Sequence, residues 1–81
     1  MILTSFRKKI DQVDQELLEL LAERLIISKE IGEYKRKNHL PIQNQEREKE
    51  VIKERTQKFK ELGFDDEQFV QELFGLIMKK A

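Results

Sequence analysis

From Phe6 onward, apolar side chains recur at Phe6, Ile10, Val13, Leu17, Leu20, Ile27, Ile31 and Tyr34. Apart from one interruption the steps alternate between four and three residues, the rhythm of a single apolar stripe on an α-helix. The interruption is Arg24, which stands in the series between Leu20 and Ile27 where a hydrophobe is expected. Leu18, Leu21 and Ile26 widen the stripe. Thr4 or Ser5 offers a hydroxyl suited to capping the start. Gly32 is the weak helix former inside, at a cost of about 1 kcal/mol against alanine. Pro41, in "KNHLPIQN", ends the run. The pattern predicts one helix over about residues 5–37.

Beyond Pro41 the apolar positions thin out. Asn44 is placed to cap a second helix, "QEREKEVIKERTQKFKEL", over about 44–62, which stops before Gly63. Asp65 followed by Gln68 resembles a capping box for a third helix over about 66–80. That helix carries Phe69, Val70, Leu73, Phe74, Leu76, Ile77 and Met78 as a broad apolar face. The expected class is all-α: three helices in one domain, residues 1–81, with the first helix far the longest. At 1.5 Å per residue the first helix is on the order of 50 Å long, whereas a compact chain of this size is only about 25 Å across. The rest of the chain cannot cover such a stripe, so a second copy is expected to do so.

Composition agrees with amphipathic helices: 38% hydrophobic and 40% charged residues, with three glycines and one proline. Lys plus Arg and Asp plus Glu are both 16, so net charge is zero, which argues against a general nucleic-acid binder. With no cysteine and a single histidine, a disulfide framework and a zinc site are both disfavoured. No apolar run reaches the length of a membrane span. The start, "MILTSFRKKIDQ", lacks the apolar core and cleavage pattern of a signal peptide, so the expected location is the cytoplasm.

Arg24 is the residue with chemistry to explain. Lys35 lies 11 residues on, about 20° away around the axis. The two therefore make a cationic line three turns long on the packed face, with Ser28 and Ile31 between. A buried unpaired charge costs several kcal/mol, so either internal carboxylates or an anionic ligand should neutralise the pair. Asp14, Glu23 and Glu30 are at hand for a structural ion pair. Arg7 is about 100° off and out of reach within its own helix, but in an antiparallel dimer it could meet Arg24 of the other chain. Phe6 and Tyr34 are expected in the core, and His39 in a surface loop. Most charges of "NQEREKEVIKER" should face water, and "MKK" reads as an ordinary basic helix terminus.

Three segments, "FRKKIDQVDQELLELLAER", "IGEYK" and "LPIQNQEREKEV", resemble the all-α chorismate mutases of the AroQ class. The ordered set carries the likeness: R-x-x-I-D-x-[IV]-D, then L-x-x-R with a Lys 11 residues later, then P-[IV]-x-x-x-x-R-E. The resemblance implies an intertwined homodimer with sites built from both chains and no cofactor. It implies that Arg24 and Arg47 of one chain and Arg7 of the other hold the carboxylates of chorismate. Lys35 would contact a carboxylate and the ether oxygen, and Glu48 the ring hydroxyl; Arg24, Lys35 and Glu48 form the catalytic set. Asn44 stands where the family commonly has Asp, and would also reach the hydroxyl. The implied reaction is the pericyclic rearrangement to prephenate, in the shikimate pathway and aromatic amino-acid biosynthesis.

One departure bears on activity. The family's third helix usually carries Ser and, four residues on, Gln or Glu against the substrate. Here "LFGLIMKKA" puts Ala81 at the Ser position, and the Gln position lies past it. Losing such a donor costs roughly 3–4 kcal/mol of transition-state stabilisation, so weakened turnover is expected, or else a module of a longer polypeptide fused to another aromatic-pathway enzyme. Two alternatives share these residues: an isochorismate–pyruvate lyase of similar architecture, and a non-catalytic helical dimerisation or regulatory module.

Overall fold

A computed structural model describes residues 1–80. It contains α1 (Ile2–Lys37), α2 (Gln45–Glu61) and α3 (Glu67–Lys80), and no strand among the described residues. α1 begins earlier than expected. Neither Thr4 nor Ser5 caps it; both lie inside the helix, and the Ser5 amide donates to the Met1 carbonyl at 3.2 Å. Nothing ahead of Thr4 breaks a helix, so Ile2 and Leu3 simply extend it.

Two helix ends are closed by the same device. After α1, the Leu40 amide donates to the Lys35 carbonyl (2.8 Å) and the His39 amide to the Arg36 carbonyl (3.3 Å). After α2, the Phe64 amide donates to the Phe59 carbonyl (3.1 Å) and the Gly63 amide to the Lys60 carbonyl (2.9 Å). Both are Schellman closures, which need a left-handed residue just past the helix. Gly63 supplies it at φ 102 and His39 at φ 56. The second closure brings its expected apolar contact, the stacked rings of Phe59 and Phe64 with centroids 5.2 Å apart.

The starts of α2 and α3 are capped by side chains. Asn44 Oδ1 accepts from the Arg47 amide at 3.0 Å, as the sequence suggests. For α3 the cap falls one residue later than expected: Asp66 Oδ1 accepts from the Phe69 amide at 3.1 Å. Asp65 instead faces back toward Lys60 Nζ, 3.9 Å away.

α2 and α3 pack on each other around Val51 and Val70, the buried residues among those described, with Phe69 tilted against Phe59 at 5.8 Å. α1 is a different matter. The molecule measures 57 × 25 × 16 Å, and no residue of α1 is buried. Phe6 and Tyr34, expected in a core, are 54% and 62% exposed. Within one chain nothing extends far enough to reach them. Ile10, Val13, Leu17, Leu18 and Leu20 are likewise more than half exposed.

Candidate functional site

The half-buried residues of α1 are Leu21, Arg24, Leu25, Ser28, Gly32 and Lys35. On helical geometry they fill an arc about 100° wide on the C-terminal half of the rod. Arg24 lies at one edge of the arc, beside the bare strip of Leu20, Ile27 and Ile31. It therefore sits on the border between surface its own chain shields and surface its own chain leaves open. Among the described residues, the ion pairs join Arg47 with Glu50, Arg55 with Glu54, Lys58 with Glu61 and Lys60 with Asp65. None involves Arg24, so Asp14, Glu23 and Glu30 do not neutralise it within this chain.

The segment between α1 and α2 turns back over the C-terminal half of α1. Lys35 Nζ donates to the Ile42 carbonyl at 3.3 Å, and Ile42 lies over a shallow hollow at Gly32. The Schellman closure at His39 sets this direction, because it reverses the chain immediately after the helix. A hollow of about 550 Å³ results, in which Lys35 and Asn44 share the wall with Leu40, Pro41 and Gln45. A second cleft, about 650 Å³, runs between the start of α2 and the end of α3. Glu48 lines it with Lys49, Ile52, Gly75, Met78 and Lys79. A Cβ at Gly75 would meet nothing within 4 Å, so the cleft is open at that position. Gln43 and Gln45 border both spaces.

The single chain thus brings Lys35 and Asn44 together and sets Glu48 in the adjoining cleft. It does not gather the other residues singled out from the sequence. Arg47 turns its guanidinium to Glu50 on its own helix. Arg7 is exposed on the bare half of α1, about 25 Å along the axis from Arg24. Ala81 lies outside the described residues. Sequence reasoning missed two neighbours of the site. Lys79 borders the cleft of Glu48, although nothing in "MKK" separates it from an ordinary helix terminus. Glu50 was legible in principle, because it follows Arg47 at the i, i+3 spacing where helical charges meet.

The chemistry open to this arrangement is electrostatic. It offers cations on a half-shielded surface, side-chain amides, and the carboxylates of Glu46 and Glu48. Among the described residues no group of three His, Cys, Asp or Glu side chains could hold a metal ion, and no helix is long and apolar enough to cross a membrane.

Over residues 6–81 the chain matches the family described as chorismate mutase type II. It is 35% identical over 79 residues to the T-protein of Enterobacter agglomerans, which covers 98% of this chain and 21% of that protein. It is 50% identical over 50 residues to the bifunctional chorismate mutase/prephenate dehydratase of Aquifex aeolicus, covering 62% of this chain and 14% of that one. To the chorismate mutase of Methanocaldococcus jannaschii it is 43% identical over 49 residues, 60% of this chain and 50% of that protein. The chain therefore spans half or less of the length of these curated relatives. No solved structure matches it significantly. With three helices, a first helix of 36 residues and a match running almost from end to end, the chain belongs to the chorismate mutase type II family.

Proposed function

We propose that two copies of this chain form a chorismate mutase, which converts chorismate to prephenate at sites shared between subunits. In each site Arg24 and Arg47 of one chain and the partner subunit's Arg7 bind the two carboxylates, since guanidinium offers paired donors of matching geometry. Lys35 meets a carboxylate and the ether oxygen. Asn44 and Glu48 take the ring hydroxyl. No proton is transferred in the rearrangement and no covalent intermediate is needed. The protein's work is to hold the substrate in its compact, reactive conformer and to place fixed cations where negative charge grows on the breaking ether bond.

The observation that carries this reading is the position of Arg24. It lies half-buried on the edge of the bare strip, in line with Lys35, and without a carboxylate partner among the described residues. A cation left in that state fits a bound dianion. The reaction belongs to aromatic amino-acid biosynthesis, and we assign it to the cytoplasm. Relatives described as bifunctional chorismate mutase/prephenate dehydratase make a second enzyme of the same pathway, in the same polypeptide, a fitting companion.

The test is the loss of chorismate absorbance on adding the protein, with isochorismate run in parallel. Arg24→Ala should lower kcat/KM by about 10²–10³-fold, the size of a lost transition-state donor, while circular dichroism and sedimentation stay those of the unmutated protein. Unchanged turnover in Arg24→Ala would assign that residue to structure instead. Consumption of isochorismate alone would make the protein a lyase. If neither substrate is consumed and a bicyclic dicarboxylate mimic of the transition state does not bind, the chain is a dimerisation or regulatory module.

A further inference from the structure

The two hollows at the site share a wall. Lys35 and Asn44 line one of them and Glu48 the other, and the residues common to both are Gln43 and Gln45. A molecule that touches Lys35 and Glu48 together therefore lies across these two side chains. Gln45 is the one held on a helix. It is the first residue of α2, and the Asn44 cap, which accepts from the Arg47 amide at 3.0 Å, fixes that turn. Glu48 follows three residues on, about 60° away around the axis, so both side chains leave the same side of α2. Among the described residues nothing hydrogen-bonds the Gln45 side chain, which leaves its amide to a ligand.

We propose that Gln45 is a substrate-contacting residue, whose side-chain N–H donates to an oxygen of the dianion that bridges Lys35 and Glu48. This rests on the reading above, in which Lys35 and Glu48 bind chorismate. The surroundings call for a neutral donor. Carboxylate and ether oxygens only accept, and an amide nitrogen supplies two N–H donors. Glu46 lines the hollow of Lys35 and Glu48 the adjoining cleft, so a carboxylate at position 45 would be a third negative charge turned toward a dianion. The helix alone favours the opposite choice, because the first turn of α2 is the positive end of its dipole and welcomes an acid. Stability and binding therefore respond to Gln45→Glu with opposite signs, which separates contact with the substrate from a role in starting the helix.

The experiment compares Gln45→Ala, Gln45→Glu and Gln57→Glu in the chorismate assay at low ionic strength. Gln57 is the control: it lies on α2 about 120° around the axis from Gln45 and lines neither hollow. Gln45→Ala should raise KM about threefold, the scale of one hydrogen bond. Gln45→Glu should raise it about tenfold, through the lost donor and the added repulsion, while its melting temperature stays the same or rises. Gln57→Glu should leave KM where it was. The proposal is overturned if KM is unchanged or lower in Gln45→Ala, or if Gln57→Glu raises KM as much as Gln45→Glu does. A rise in Gln45→Glu alone also overturns it, since that places the residue near the substrate without a bond to it. If the unmutated protein neither turns over chorismate nor binds the mimic, the functional reading fails and this assignment goes with it. If turnover is normal and only the KM response is missing, Gln45 alone loses its role.

Discussion

His39 holds its backbone at φ 56, in a region that costs a residue with a Cβ about 1–2 kcal/mol. It does so because the Schellman closure after α1 requires that conformation at the first position past the cap, a place usually taken by glycine. Gly63, at the same position after α2, shows the more common solution. His39→Gly should therefore stabilise the protein by up to about 1 kcal/mol, after subtracting the greater entropy glycine brings to the unfolded chain; chemical denaturation checks it. Nothing in "KNHLP" marks which residue turns left-handed, because Asn38 and His39 are both of types enriched in that region. Caps are more legible. Asn44 was readable as a helix start because its side-chain carbonyl suits the role and charged helix formers follow. Between Asp65 and Asp66 the sequence offers two equivalent carboxylates, and only the fold of the turn after Phe64 chooses the second. The pairing of Arg47 with Glu50 was open to the same reasoning, since i, i+3 spacing on α2 is certain once the helix is.

At the scale of the element, α1 carries two faces whose separation follows from its length. The stripe with Leu21, Leu25 and Gly32 is partly shielded on the C-terminal half. Phe6, Ile10, Val13 and Leu17 lie bare on the N-terminal half. Covering the open half of each such side chain is worth about 1 kcal/mol, so the bare strip as a whole is a strong drive to associate. Leu17→Lys, near the middle of the rod, should weaken a dimer at least a hundredfold, because two lysines would then be desolvated without partners. Sedimentation would show the shift from dimer to monomer. The helix itself was legible in the four-and-three rhythm of apolar residues. Its identity as an unshielded rod was legible in arithmetic, since the remaining residues are too few to reach along it. What periodicity alone left open was the place of Phe6 and Tyr34: a hydrophobic stripe announces burial without saying in whose core.

The whole molecule makes sense of residues that one chain leaves apart. Lys35, Asn44 and Glu48 gather near the loop after α1, while Arg7 stands about 25 Å from Arg24 along the same rod. That distance is fixed by the helix and cannot be closed by any loop movement. The rod's reach has a genetic corollary. If each site takes Arg24 from one subunit and Arg7 from the other, then Arg7→Ala and Arg24→Ala proteins are both defective, yet unfolding and refolding them together in equal amounts should restore activity. A mixed pair assembles one intact site and one doubly damaged one, so random pairing of subunits would recover roughly a quarter of the original turnover. Two broken enzymes would mend each other, and a mixture that stayed dead would mean that each chain works alone.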